Sequence, residues 1–276
     1  MPDPQQTPSV SGPNDLVTVV VPCYNAARFI GRTIESVLAQ TYVQLELIVV
    51  DDRSTDNSVD LIRSYALRDG RIRLIERAQN AGAPAAPRNT GVAAAQGRWV
   101  AFLDADDIWH PDKLRLQMQA LRDHRATLCS TQMKDFRDEA EIVVTEPLDP
   151  RVARITLTQQ LLKYRTPTSS IVVDRQLMLA HPFNEDLSYK AREDTDCFIR
   201  LHEYMEHSIK IQHPLVFYRL QANQISGDKW KMVSRHFAML RKYRMKTGEG
   251  LGLMAYVYTA THFLASIYIR MIRHKL

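Results

Sequence analysis

The chain has 276 residues, of which 45% are hydrophobic and 24% charged, and its formal net charge is +5. This composition excludes a largely disordered or fibrous protein, and the length is sufficient for one sizeable core. Residues 1–14 are predicted to form a flexible tail, because Pro, Gln, Ser and Gly dominate there without an apolar period. No signal-peptide pattern begins the sequence, and Cys23, Cys129 and Cys197 are widely separated. We therefore expect a reducing, cytoplasmic location.

The first hundred residues alternate between β-branched runs and helical patterns. Strands are predicted at residues 16–21, 45–50, 71–76 and 98–103. Helices are predicted between them at residues 28–40, 58–68 and 84–96. Nearly continuous apolar strands that alternate with helices are typical of an α/β fold, in which helices cover both faces of a mostly parallel sheet.

The alternation weakens after Trp109. Helices are predicted there at residues 113–121, 156–163 and 194–204. Strands are predicted at residues 126–133, 141–145, 169–173 and 214–218. No internal repeat is present, so the two halves of the chain are not copies of one unit.

The C-terminal segment, residues 228–276, combines a basic stretch with an uncharged one. Seven Lys and Arg residues lie between positions 229 and 246, and residues 251–269 carry no charge. Polar residues interrupt the uncharged stretch, which disfavours a membrane span. Three interpretations stay open: an amphipathic helix on an anionic membrane surface, a homodimer contact, and a helix packed on the core. The basic residues lack the aromatic spacing of a stacking groove, so nucleic acid is not an expected partner.

Polar clusters follow each of the first four predicted strands, at residues 22–25, 51–56, 80–89 and 104–107. The carboxyl ends of parallel strands share one edge of a sheet, where ligands bind. Each cluster taken singly is also compatible with a turn or a helix cap. The carboxylates after the fourth strand repel one another unless a cation or a donor from a ligand holds them. Because no glycine-rich phosphate loop is present, we expect a divalent metal and arginine to bind phosphate.

Four segments in order resemble the hallmark segments of family 2 glycosyltransferases, which have the GT-A fold. They are Val-Pro-Cys-Tyr-Asn (21–25), Val-Val-Asp-Asp-Arg-Ser-Thr-Asp (49–56), Asn-Ala-Gly with Pro-Arg-Asn-Thr-Gly (80–91) and Gly-Arg-Trp-Val-Ala-Phe-Leu-Asp-Ala-Asp-Asp (97–107). The resemblance resumes at residues 192–201 and at Tyr218-Arg219. It implies a catalytic domain over residues 15–227, with a Rossmann-like nucleotide-sugar half (15–110) and an acceptor half (111–227). Residues 228–276 are then a helical extension.

The resemblance also implies which residues bind the donor. Asp52, with Asp51 as the other candidate, would accept a hydrogen bond from N3–H of uracil, a donor that cytosine lacks. Pro22 and Asn25 would line the nucleotide site. Arg88 would reach the base or the diphosphate.

Further residues receive metal-binding and catalytic roles from the same resemblance. Asp104 and Asp106 form an Asp-x-Asp pair, with Asp106 the first choice as ligand of Mn²⁺ or Mg²⁺ and Asp104 for the ribose or the metal. Asp194 corresponds to the general base that takes the acceptor proton, although a helix cap is its alternative. Glu193 would orient the acceptor. Gln221 stands where many relatives have a metal-binding histidine.

These expectations describe an inverting, non-processive glycosyltransferase. One sugar would move from a UDP-sugar, or with less support a dTDP-sugar, to a hydroxyl of a glycan or lipid-linked saccharide, in bacterial surface polysaccharide synthesis. The Gln-x-x-Arg-Trp motif of processive relatives is absent. A nucleotidyltransferase would need a glycine-rich, lysine-bearing loop that residues 23–29 lack, and intact carboxylates disfavour a non-catalytic nucleotide-sugar-binding protein. The expected location is peripheral, on the inner face of the cell membrane.

Overall fold

The structure, a computed structural model, describes residues 15–146, 150–163, 165–221 and 229–273. The predicted tail, residues 1–14, lies outside the described residues. One sheet of nine strands runs through the described part of the chain. The strands are β1 Val17–Cys23, β2 Leu45–Asp51, β3 Ile72–Glu76, β4 Trp99–Phe102, β5 Ile108–Trp109, β6 Leu128–Phe136, β7 Val152–Ile155, β8 Val172–Asp174 and β9 Ser208–Arg219.

The sheet has the order β3-β2-β1-β4-β8-β6-β9-β5, and β7 also pairs with β9. The first four strands are parallel, since β1 pairs with β2 and β4, and β2 with β3. Strand β8 joins β4 and β6 in antiparallel orientation, whereas β6 and β9 are parallel. Strands from both predicted halves therefore belong to one mostly parallel sheet, as the predicted α/β fold class requires.

Helices cover both faces of this sheet. They are α1 Ile30–Leu38, α2 Ser58–Ala66, α3 Ala85–Ala94, α4 Lys113–Asp123, α5 Leu157–Leu162, α6 Arg175–Ala180, α7 Glu193–His202, α8 Lys229–Lys242 and α9 Met254–Arg273. Side chains alternate along β1, so that Val19 packs with α1, α2 and α4 while Val20 packs with α3, α6 and α7. Strand β1 is thus buried on both faces, which explains its unbroken apolar sequence.

The C-terminal helices pack on this body through a separate apolar cluster. It contains Leu161 of α5, Ile199 of α7, Leu240 of α8 and Ala255 of α9, all of them buried. The interpretation of the C-terminal segment as a helix packed on the core is therefore confirmed for the start of α9. No helix within the described residues is both long and apolar enough to cross a membrane.

Several local features differ from the predictions. The strand predicted at 141–145 is wrong: Asp138 accepts the Ala140 N–H at 2.9 Å and caps a 3₁₀ helix, Glu139–Glu141, after which Val143 and Val144 are exposed. Strand β9 is longer than the predicted 214–218, since its first half pairs with β7. The prediction missed this first half because polar residues interrupt its apolar pattern. The short elements α6, β5 and β7 were not predicted, because so few residues do not show a helical or strand period.

Candidate active site

A cleft of about 1470 Å³ lies at the carboxyl ends of β1, β2 and β4. This is the sheet edge at which the sequence places the polar clusters. The predicted site residues that line the cleft are Pro22, Asn25, Asp52, Arg88, Asp104, Asp106, Glu193 and Asp194. Asp51 is the predicted residue that is not part of the lining. The fold therefore brings together residues that are up to 172 positions apart in the sequence.

The loops that follow β1 and β2 are joined by hydrogen bonds between polar side chains and backbone. Asn25 adopts a left-handed conformation, with φ at 49°, which asparagine tolerates better than most residues. Its N–H donates to Ser54 Oγ at 2.9 Å, and its Oδ1 accepts the Thr55 N–H at 2.7 Å. Asp56 accepts the Ala27 N–H at 3.0 Å. The polar residues of 51–56 thus hold the loop after β1 in place at the cleft, which is a role beyond that of a turn or a helix cap.

The two adjacent aspartates after β2 have different environments. Asp51 is buried, and its Oδ2 accepts the Ser54 N–H at 2.9 Å. Asp52 lines the cleft, forms an ion pair with Arg77, and accepts the Ala81 N–H at 2.9 Å. A carboxylate has about four acceptor positions, so these contacts leave room for a further donor from a ligand. Of the two candidates, Asp52 is the one that lines the cleft.

Arg88 on α3 connects the two sides of the cleft. The side chain is buried, with Nη2 2.7 Å from Asp104 Oδ1 and Nη1 3.4 Å from Glu193 Oε1. Burial disfavours its charge, but Asp104 and Glu193 outweigh burial and raise the pKa of Arg88. The predicted contact of Arg88 with the base or the diphosphate stays a prediction, because these carboxylates already engage the guanidinium.

The acidic cluster after β4 is held by donors from the protein itself. Gln221 Nε2 donates to Asp106 Oδ2 at 2.5 Å, and the Arg219 N–H donates to Asp107 Oδ1 at 3.1 Å. Burial, followed by repulsion from Asp104, raises the pKa of Asp106. Burial and both neighbouring aspartates raise the pKa of Asp107 well above its usual range. The cluster is therefore compatible with folding before any cation binds.

Two residues without an assigned role support this cluster from behind. Arg219 Nε donates to the Asp106 carbonyl at 3.0 Å, and its guanidinium packs on the rings of Phe29 and Phe136. Thr33 Oγ1 contacts the carbonyl oxygens of Ala105 and Asp107, each at 2.9 Å. The Tyr218-Arg219 motif was the sequence signal for Arg219, whereas a buried threonine on α1 gave none.

A divalent cation fits the donor set of Asp104 and Asp106. Among the described contacts, the bonds to Arg88 and Gln221 use Oδ1 of Asp104 and Oδ2 of Asp106, which leaves the other oxygen of each carboxylate. Within the described part of the chain, no group of three His, Cys, Asp or Glu side chains is arranged to hold a metal. Mg²⁺ is commonly bound by one or two carboxylates together with substrate phosphates and water, so the pair is sufficient.

Asp194 and Glu193 begin α7 at the opposite side of the cleft. The N-cap of α7 is Arg192, so the alternative that Asp194 is the cap residue is wrong. Asp194 lies in the first turn, where Oδ1 accepts the Thr195 N–H at 2.6 Å and Oδ2 accepts the Thr168 hydroxyl at 3.2 Å. Burial, followed by the charge of Asp194, raises the pKa of Glu193, while Arg88 opposes the shift. Of the two carboxylates, Asp194 is the half-buried one on the cleft wall, a position from which a side chain can reach a ligand's proton.

The fold and the cleft define a GT-A glycosyltransferase, and comparison with known proteins identifies its family. The model of the family described as Glycosyl transferase family 2 matches residues 18–178. The chain therefore belongs to this family and is a glycosyltransferase. These findings argue against the nucleotidyltransferase and non-catalytic alternatives. Enzymes of this family typically depend on a divalent metal.

Two curated relatives cover most of the chain. A proposed teichuronic acid biosynthesis glycosyltransferase, TuaG of Bacillus subtilis, is 31% identical over 82% of this chain and 88% of its own length. UDP-Glc:alpha-D-GlcNAc-diphosphoundecaprenol beta-1,3-glucosyltransferase WfgD of Escherichia coli is 31% identical over 82% of this chain and 85% of its own length. Both support a function in bacterial polysaccharide synthesis.

A solved structure has the same fold. TarS 1-349 of S. aureus, in complex with UDP-GlcNAc, superposes with a TM-score of 0.66 at 20% sequence identity. The match covers 82% of this chain and 65% of that chain, so a third of the TarS structure has no counterpart here. The likeness shows the fold and does not identify a substrate.

Proposed function

We propose that this glycosyltransferase transfers a single sugar from a UDP-sugar to a hydroxyl group of a lipid-linked saccharide, with inversion at the anomeric carbon. The observation that carries the proposal is the contact of Arg88 with both Asp104 and Glu193. One buried guanidinium thereby joins the carboxylates that would handle the donor to the start of α7, where Asp194 would handle the acceptor. Both sets of carboxylates line one cleft.

The donor half of the proposal rests on Asp52 and on the loops after β1 and β2. Asp52 would accept N3–H of uracil, while Pro22 and Asn25 line the space around the base. The names of WfgD and of the TarS complex include UDP-Glc and UDP-GlcNAc respectively, which supports a uracil nucleotide. UDP-glucose and UDP-GlcNAc are therefore the first donors to test, and a dTDP-sugar is the less favoured choice.

Asp104 and Asp106 would hold Mn²⁺ or Mg²⁺ against the donor diphosphate. When bound, the cation supplies charge neutralisation for the diphosphate leaving group. Gln221 and Arg219 would keep Asp106 oriented toward the cleft through the contacts described above. This arrangement takes over the task of a glycine-rich phosphate loop.

Asp194 would act as the general base. The acceptor hydroxyl oxygen forms a bond to the anomeric carbon, the bond from that carbon to the phosphate oxygen breaks, and UDP leaves with the electron pair. The hydroxyl proton passes to Asp194. Attack from the face opposite the leaving group inverts the anomeric carbon, and Glu193, held by Arg88, would orient the acceptor.

The domain organisation in this proposal has three parts. Residues 15–110 bind the donor, residues 111–227 bind a glycan or lipid-linked acceptor, and residues 228–276 attach the enzyme to the inner face of the cell membrane. On α9 the side chains of Tyr256, Val257 and Leu264 are exposed, and basic residues are frequent on α8. Exposed apolar side chains beside lysine and arginine favour an anionic membrane surface. A second copy of the chain is the alternative partner for this face.

A donor screen tests the proposal. UDP release is measured with a set of UDP-sugars, each with and without a lipid-linked saccharide acceptor, and the product is analysed for the number of added sugars. We expect acceptor-dependent UDP release and one added sugar. Release of GDP from a GDP-sugar, without release of UDP from any UDP-sugar, would contradict the role given to Asp52.

A further inference from the structure

Basic side chains line the part of the cleft that lies away from the nucleotide loops. They come from the chain after α5, from the loop before α7 and from β9, three segments that are distant in sequence. These side chains, here called the basic wall, are Lys163, Arg165, Lys190, Arg192 and Lys210. Local sequence patterns did not reveal them, because only the fold brings the three segments together.

Contacts from the protein hold parts of the basic wall in place. Lys210 Nζ donates to the Arg165 carbonyl at 2.7 Å, and Arg192 Nη2 donates to the Met232 carbonyl at 3.1 Å. Ala191 lies between two of the basic residues with φ at 65°, a left-handed conformation that alanine rarely adopts. Strained residues of this kind are concentrated at functional sites. The loop before α7 is thus held in a shape that places cations on the cleft.

The part of the basic wall at Lys210 is separate from the site proposed for the donor diphosphate. In the ladder of β6 and β9, Lys210 pairs with Ser130, whereas Asp135 pairs with Tyr218 near Gln221. Along β6 these two positions are five residue steps apart, which corresponds to roughly 16 Å. Asp194 is the second residue of the helix that directly follows the basic loop. An acceptor can therefore place its hydroxyl at Asp194 while a second group on the same molecule reaches the basic wall.

We propose that the basic wall binds the phosphate or diphosphate group of the acceptor. Lysine and arginine side chains are the residues that proteins use to bind phosphate oxygens, and arginine does so with two parallel hydrogen bonds. The inference rests on the proposed function, since it assigns the anionic part of that lipid-linked acceptor to named residues. Its consequence is that the enzyme selects acceptors by their charge as well as by their sugar.

A double variant, Arg165→Gln with Lys210→Gln, tests this role without changing a proposed catalytic residue. The matched control is Arg154→Gln with Lys134→Gln. Both control residues are exposed and lie between neighbours that line the cleft, so their side chains point to the other face of the strand. The two double variants therefore lose equal charge from the same region of the sheet, because β6 and β7 both pair with β9, but only one loses it from the cleft.

The probe is α-GlcNAc-diphosphate on a short, water-soluble alkyl chain, compared with the neutral alkyl α-GlcNAc glycoside. For the basic-wall variant we expect the KM for the charged probe to rise by about tenfold or more, as for the loss of two charge-assisted hydrogen bonds. The KM for the neutral glycoside and for the UDP-sugar should stay within about twofold of the wild type, in line with contacts made only by phosphate. The control variant should match the wild type.

Calorimetric binding of the charged probe to protein saturated with UDP and Mn²⁺ gives a readout that does not need turnover. We expect about tenfold weaker binding in the basic-wall variant, which is the equilibrium counterpart of the KM change. Absence of transfer by the wild type together with this binding difference would reject the proposed function and retain the basic wall as an anion site. Equal binding by variant and wild type would overturn the inference.

Two further outcomes also overturn it. A raised KM for the UDP-sugar would assign the basic wall to the donor diphosphate. The second outcome comes from a comparison of the soluble probe with the same diphosphate saccharide on a long lipid in anionic vesicles. The variant should lose activity to the same extent on both. A loss confined to vesicles would show that these residues contact the membrane and do not recognise the acceptor phosphate.

Discussion

The guanidinium of Arg88 donates to the carboxylate of Asp104 at 2.7 Å from a position that is almost fully buried. The same side chain reaches Glu193, so the end of β4 and the start of α7 are connected through one residue. A substitution of Asp104 or Glu193 should therefore change the electrostatic environment of the other carboxylate. Breaking a buried ion pair by removing one partner costs about 3–5 kcal/mol, because a charge is left without compensation.

The first prediction concerns this buried pair. Arg88→Met should lower the free energy of unfolding by about 3–5 kcal/mol, since Glu193 then lacks its cation. Adding Glu193→Gln to that variant should recover part of the loss, because the remaining buried group is neutral. Urea unfolding of the wild type, both single variants and the double variant measures the coupling. Strictly additive effects would show that the two side chains do not interact.

The second prediction concerns the proton acceptor. Asp194→Asn keeps the shape of the side chain but cannot take a proton, so kcat should fall by roughly two orders of magnitude or more. The Kd for UDP should be unchanged. Asp186→Asn is the control, since Asp186 is an exposed residue that caps a 3₁₀ helix outside the cleft lining. If UDP binding weakened together with kcat in Asp194→Asn, a structural role would explain the loss.

The first half of the fold was predictable because its central strands, β1, β2 and β4, are buried on both faces. Val17–Cys23 and Leu45–Asp51 consist mostly of apolar residues that stop where polar clusters begin, so both the strand and its functional end are visible in the sequence. The positions of Asp52, Asp104 and Asp106 on the cleft follow from this rule.

The support of the site was not predictable in the same way. Arg219 contacts Asp107 across 112 positions of the chain, and a local pattern contains no signal for such a pairing. The expectation that a cation or ligand must separate the aspartates failed to foresee the donors that the protein supplies. At residues 141–145 a strand was predicted where the structure has none. The β-branched residues Val143 and Val144 favour a strand, but both are exposed and do not pack in a core.

The third prediction concerns the metal and Gln221. Activity should vanish in excess chelator and return with Mn²⁺ or Mg²⁺, because two carboxylates must hold the cation. Gln221→His places an imidazole next to Asp106, and imidazole is a better metal ligand than a neutral amide. The Mn²⁺ concentration that gives half-maximal activity should therefore fall by several-fold, whereas Gln221→Ala should raise it. Full activity in chelator would contradict the role of Asp104 and Asp106.

The fourth prediction concerns acid stability. His236 of α8 packs against His262 of α9 with ring centroids 4.2 Å apart and ring planes tilted by 34°, and neither ring nitrogen of His236 has a hydrogen-bond partner among the described residues. Burial, followed by the neighbouring charges of His262, Arg192 and Lys163, lowers the pKa of His236 to about 2. Below the ordinary histidine pKa of about 6.5, the unfolded chain takes up a proton that the folded chain refuses, so stability is lost as the pH falls.

The loss from His236 alone should reach about 2 kcal/mol between pH 6.5 and pH 5. His236→Phe keeps an aromatic ring without a titrating group, so its stability should fall less over this range than that of the wild type. Thermal unfolding followed by circular dichroism at both pH values measures the difference. His124→Phe, at an exposed position, is the control. Equal acid sensitivity of His236→Phe and the wild type would contradict the prediction.

The fifth prediction concerns the outer face of α9. The full-length protein should co-sediment with anionic vesicles, and salt should weaken this binding. Val257→Glu with Leu264→Glu should abolish co-sedimentation and leave donor hydrolysis intact, because both side chains are exposed. Leu67→Glu, on the catalytic body and also exposed, should have no effect. Loss of a dimer, with no vesicle binding by the wild type, would assign this face to self-association.

Inverting transfer of a single sugar is tested most directly by the anomeric configuration and the number of added sugars in the product. Purified enzyme is incubated with Mn²⁺, the UDP-sugar selected by the donor screen and a lipid-linked saccharide, and the product is analysed by NMR and mass spectrometry. We expect one added sugar whose anomeric configuration is inverted relative to the donor, and we expect product formation to be lost in Asp194→Asn. A product with retained configuration, or undiminished transfer by Asp194→Asn, would contradict this expectation.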